Sequence, residues 1–143
     1  MDVAELDEDP FADRPPPKSV WEATEEESLD EVRATIENKQ DVNCPNPITL
    51  NTPLIIALKI NHIEMANFLL SKGADVKPQN KCGDTALHWA ALRGQEEMVR
   101  TMLSRGAKLD VVGEFGNTPL HFACKANHLK IVFMMLEARA APL

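Results

Sequence analysis

The chain is expected to fold as an all-α solenoid: about four helix pairs stacked side by side, with short β-hairpin fingers joining successive pairs. Three observations carry that expectation. Nearly the same stretch is written repeatedly, as "GDTALHWAALRG" from Gly83, "GNTPLHFACKAN" from Gly116 and "LNTPLIIALKIN" upstream, so that Thr52, Thr85 and Thr118 stand 33 positions apart. Asn61, Gly94 and Asn127, residue types that tolerate the left-handed backbone closing a helix, repeat at the same interval. Apolar residues between these marks recur at helical spacing. A period of that length belongs to a supersecondary unit that cannot hide its apolar side alone and stacks on copies of itself.

Residues 1–17, "MDVAELDEDPFADRPPP", are acid-rich and end in three prolines, so they are expected to be a flexible, disordered tail. The repeat domain then spans residues 18–143. Its first copy, 18–51, is degenerate. Val20 and Ala23 take the places of Leu87 and Ala90, and Val32 and Ile36 those of Val99 and Leu103, provided the following loop is one residue longer. The acids Glu22, Glu25, Glu26, Glu27, Asp30 and Glu31 give this copy the wet outer face that a terminal repeat needs. In the copy 52–84, Thr52 caps a helix that opens on Pro53, a position where the missing N–H costs nothing. The second helix carries Met65, Ala66, Leu69 and Leu70 on one stripe and stops at Gly73.

The copy 85–117 keeps the threonine cap without the proline, places Met98, Val99, Met102 and Leu103 on its second helix and stops at Gly106. The copy 118–143 restores Thr118-Pro119. Its second helix is apolar almost all round, with Phe133 where earlier copies have Asn67 and Arg100, which leads us to expect a further repeat or domain beyond Leu143.

Charge and cysteine usage narrow the function classes. Residues 1–31 hold twelve of the 22 acids against two bases, while the remainder is mildly basic, which argues against nucleic acid as a partner. Cys44, Cys82 and Cys124 lie in different copies and do not suggest a disulfide framework; with no leading signal segment, a cytoplasmic location is expected. The longest apolar run, Ile131 to Leu136, is too short to insert into a bilayer. His88 and His121 each fall three residues after a capping threonine, where the side chain can reach back to the helix start; that structural role outweighs metal binding, because no Cys/His cluster has ligand spacing. His62 and His128, after the helix stops, are read the same way. No phosphate loop, paired acid site or nucleophile elbow is present, so neither catalysis nor a cofactor is expected.

Thr-Pro-Leu-His at Thr118 to His121, Thr-Ala-Leu-His at Thr85 to His88, and Gly-Ala at Gly73 and Gly106, all in phase, resemble the ankyrin repeat over residues 18–143. Three positions depart from the pattern: Ile55 replaces the histidine, Leu50 stands where Gly83 and Gly116 stand, and Arg139 stands where Gly73 and Gly106 stand. The resemblance implies a non-catalytic protein-interaction module holding a partner peptide or protein in a concave groove between finger tips and first helices. Carried over by position, the fingers would present Lys81 and Asp84, then Glu114, Phe115 and Asn117. The first helices would add Ile56, Lys59 and Ile60, then Trp89, Leu92 and Arg93, then Phe122 and Lys125.

Lys59, Arg93 and Lys125 would align along this groove, with Trp89 and Phe122 stacked as neighbours. Such a surface suits a peptide bearing an apolar anchor beside a carboxylate. Trp89 and Phe122 could equally serve as packing framework. A looser similarity, in "HWAALRG", "GAKLDVVG" and "TPLHFA", is to the array of ankyrin-bearing protein palmitoyltransferases, and implies as the alternative a substrate-recruiting module of a larger membrane enzyme.

Overall fold

A computed structural model describes residues 18–140; the tail assigned to residues 1–17 lies outside them. Within them the chain forms eight α-helices in four antiparallel pairs: α1 Val20–Glu25 with α2 Leu29–Glu37, α3 Pro53–Lys59 with α4 Ile63–Ser71, α5 Ala86–Arg93 with α6 Glu96–Ser104, and α7 Pro119–Lys125 with α8 Leu129–Ala140. Helices this short are unstable in isolation, so packing must hold them. The first helices make one layer, in which α1, α3, α5 and α7 touch in sequence, and each second helix packs behind its own first helix.

The caps act where the threonines stand. Thr52 Oγ1 accepts from the Ile55 N–H at 3.3 Å, and Thr118 Oγ1 from the His121 N–H at 3.4 Å. Ser19 and Ser28 cap α1 and α2 in the same way. The stops are left-handed as expected, with φ of 62° at Asn61, 74° at Gly94 and 61° at Asn127. In the first copy the corresponding stop falls to Glu27, and Lys39 takes the place of Gly73 and Gly106 after the second helix, both non-glycine residues at positive φ. Leu50 also keeps the positive φ of the glycines it replaces. Arg139 does not: α8 runs on to Ala140 where α4 and α6 have ended.

Val20, Val32, Leu54, Ile55, Leu58, Met65, Leu69, Leu87, Val99, Met102, Ile131 and Met135 join one continuous core across all four pairs. Ile55, in the histidine position, exchanges a polar contact for apolar burial. Polar bonds between copies run alongside. The Arg105 guanidinium donates to the Leu70 carbonyl at 2.9 Å, Gln95 Nε2 to Asn61 Oδ1 at 2.9 Å, and the Asp75 N–H to Asn43 Oδ1 at 2.8 Å.

The fingers are turns rather than paired strands, and no strand occurs among the described residues. Each turn is closed by a backbone bond across its base, Asn46 N–H to the Asn51 carbonyl, Asn80 N–H to the Asp84 carbonyl and Gly113 N–H to the Asn117 carbonyl, with a return bond inside it from Leu50, Gly83 and Gly116 N–H respectively. Side chains take the donors a ladder would have used: Asn46 Oδ1 accepts from the Ile48 and Thr49 N–H groups, and Asn80 Oδ1 from those of Cys82 and Asp84.

Candidate functional site: the concave face between fingers and first helices

Neighbouring fingers are tied to one another before they meet any partner. The Lys81 N–H donates to the Thr49 carbonyl at 2.9 Å, Asn80 Nδ2 to Asn51 Oδ1 at 2.8 Å, and the Glu114 N–H to Asp84 Oδ1 at 3.0 Å. These bonds fix a depression of about 380 Å³ at the feet of the fingers, lined among others by Ile48, Lys59, Lys81, Cys82, Trp89 and Glu114. Lys59, Lys81 and Glu114 are exposed on its rim and Trp89 is half-buried in its wall. Lys59 Nζ lies 5.8 Å from the centre of the Trp89 ring, within reach of a cation–π attraction.

Not every residue assigned to the groove reaches it. Ile56 is only 3% exposed and belongs to the core, because the position after the histidine site turns inward in this copy. Asp84 borders the depression but is 2% exposed, its carboxylate committed to the Glu114 N–H. Arg93 is exposed, yet its guanidinium donates to the Lys59 carbonyl at the end of α3 and so acts as a clasp between copies. Asn117 is half-buried, and its carbonyl faces the His88 ring 3.0 Å away.

Trp89 and Phe122 do not form the expected stack. Phe122 sets its edge against His88, ring centres 5.4 Å apart and planes at 78°, while Trp89 is matched with Lys59. The half-buried Ile60, just past the end of α3, the half-buried Leu92 on α5 and the exposed Lys125 on α7 lie outside the depression, as does Phe115, 91% exposed at the third tip. Asn80 was not singled out from the sequence. Its signal was the Asn-x-x-Gly turn it opens, since an asparagine there can gather the turn's own N–H groups.

The histidines fill structural roles. A backbone N–H can only donate, so the Thr85 N–H at 2.9 Å makes His88 Nδ1 an acceptor and puts the ring proton on Nε2, which donates to the Asn117 carbonyl. Both nitrogens are thereby used. Burial holds the His88 pKa below its ordinary value, against the weaker upward pull of the Asn117 carbonyl and the Asp84 charge. His121 accepts from the Thr118 N–H at 3.0 Å, His62 caps α4 through Nδ1, and His128 Nε2 lies 3.1 Å from the Leu92 carbonyl.

At the other end of the stack Phe133 is 63% exposed, with Leu129 and Leu136 also open. Cys44, Cys82 and Cys124 are unpaired thiols in separate copies; Cys124 lies exposed on α7 rather than packed.

Comparison with known proteins agrees with this architecture. A family model described as ankyrin repeats (3 copies) matches residues 20–112 and 76–142. FPV031, an ankyrin repeat protein of fowlpox virus (strain NVSL), is 37% identical over 70 residues, 48% of this chain and 20% of that protein. A protein of Oryza sativa subsp. japonica described as a probable E3 ubiquitin-protein ligase, XBOS33, is 46% identical over 48 residues, 34% of this chain and 9% of that protein. The chain thus spans a fifth or less of either relative's length. With four stacked helix pairs, threonine–histidine caps in phase and a family match across nearly all described residues, the chain belongs to the ankyrin-repeat family.

Proposed function

We propose that the chain is a protein-interaction module that receives a partner peptide or protein in its concave groove, at the depression walled by Trp89 and rimmed by Lys59, Lys81 and Ile48. Ankyrin repeats mediate contacts between proteins and are typically non-catalytic, which supports the class. The observation that carries the finer reading is the combination at this one place of a large flat side chain, two exposed cations and an apolar tip in a fixed concavity. Arg93, clasped to the Lys59 carbonyl, is not the clamp; Lys59 and Lys81 take that part. The exposed tips Ile48 and Phe115 supply apolar anchors on either side. The partner is protein rather than nucleic acid, no cofactor is called for, and a cytoplasmic setting fits the three free thiols.

Peptide-library selection on the purified chain tests this. Selected peptides should bind Trp89→Ala and Lys81→Glu about tenfold more weakly than the parent, with helicity unchanged. Equal binding to both variants would remove the groove from the account. No observation favours the alternative of a recruiting module for a palmitoyltransferase.

A further inference from the structure

Resting on the groove reading, we propose that the depression between the first two fingers is a carboxylate subsite, in which an Asp or Glu side chain of the partner accepts a hydrogen bond from Trp89 Nε1 between the ammonium groups of Lys59 and Lys81.

Among the described residues, Trp89 Nε1 is the one buried side-chain nitrogen or oxygen without a hydrogen-bond partner. An indole N–H only donates, so what it lacks is an acceptor. Buried polar groups are ordinarily satisfied, and this fold satisfies its others, including Asp84 and both nitrogens of His88. The unmet donor belongs to a side chain in the wall of the depression.

The amide and hydroxyl acceptors there are occupied, one Asp84 oxygen is engaged, and the Glu114 carboxylate on the rim is left without a partner among the described residues. Asn51 Oδ1 takes the Asn80 amide, Asn80 Oδ1 takes two backbone N–H groups, Asp84 Oδ1 takes the Glu114 N–H, and Thr49 Oγ1 takes the Asn51 N–H. Lys59 and Lys81 are exposed and neither forms an ion pair among the described residues, where the pairs are Lys18 with Glu26 and Glu31 and Arg100 with Glu97. An unsatisfied indole N–H on a wall side chain and two unpaired ammonium groups, against the one unpaired carboxylate of Glu114, leave donors in excess and favour an incoming acceptor.

Glu114 on the rim and Asp84 beneath it set the preference for a single charge, since a dianionic phosphate would meet two carboxylates. Lys59 lies over the indole on an exposed, flexible stem, so it can lift away to admit the incoming group and then close on it.

The full chain has two tryptophans, so a ¹⁵N-labelled sample gives two indole N–H signals, assigned with Trp21→Phe. Titration with N-acetyl-glutamate N-methylamide should move the Trp89 signal downfield and leave Trp21 in place, and the glutamine counterpart at equal concentration should move it far less. Lys59→Gln with Lys81→Gln should weaken the glutamate response about threefold or more. No shift, an equal response to both probes, or tighter binding of N-acetyl-phosphoserine N-methylamide would overturn the carboxylate assignment. Library-selected peptides that lose affinity with Trp89→Ala, bind Trp89→Phe as well as the parent and carry no acid would sink this subsite while leaving the groove reading in place.

Discussion

His88 and His121 sit in two copies of the same motif and meet opposite surroundings. Each ring takes the N–H of its capping threonine, at 2.9 Å and 3.0 Å. His88 is 1% exposed, reaches across to the Asn117 carbonyl and packs against Phe122. His121 is exposed, and its Nε2 has no partner among the described residues. The local half of the motif therefore operates wherever the sequence places it, while the half that joins copies needs an acceptor from the next finger, as Asn117 supplies to His88. One signature encodes a helix start by itself and an interface by context.

Truncating each ring separates the two halves. His88→Ala should cost about 2–4 kcal/mol, from the lost cap, the stranded Asn117 carbonyl and the cavity beneath Phe122, whereas His121→Ala should cost about 1 kcal/mol, the worth of a cap. Urea denaturation measures both. Similar losses would break the distinction between cap and interface.

Acid tests the buried ring of His88 by itself. Because the folded pKa of His88 is depressed, the unfolded chain binds the extra proton first. Its contribution is complete above the ordinary value of 6.5 and drains away as pH falls from there through the depressed folded value. His88→Asn should flatten this slope, read from urea midpoints across that pH range.

A second pair sharpens the comparison at smaller scale. Gly94 and Gly116 share a left-handed φ, 74° and 75°, but a Cβ on Gly94 would sit 2.6 Å from the His128 ring, while on Gly116 it would meet nothing within 4 Å. Gly94→Ala should lose about 2 kcal/mol and Gly116→Ala about 1 kcal/mol, the cost of the backbone alone. Thermal melts of the two variants report the difference.

What was legible in the sequence follows from the same division. Caps, stops and the apolar stripes are decided within a few residues, and Thr52, Thr118, Asn61, Gly94 and Met102 all stand as their local context implied. Contacts between copies depend on geometry that no local pattern records. Arg93 spends its guanidinium on a carbonyl 34 positions earlier, Asp84 turns inward to a backbone N–H of the next finger, and the His88 ring takes the place beside Phe122 that Trp89 was expected to fill. In the first two fingers Asn46 and Asn80 collect the donors a hairpin ladder would have used. The orphaned indole nitrogen of Trp89 left no trace in composition or spacing, since it is defined by what surrounding residues do not offer.

The central functional claim is that partners enter from the concave side. Amide chemical-shift mapping of a library-selected peptide on the ¹⁵N-labelled chain addresses it without any substitution. Perturbations should gather on Ile48, Lys81, Trp89 and Glu114. Perturbations confined to the outward faces of α2, α4 and α6, with those four residues silent, would contradict it.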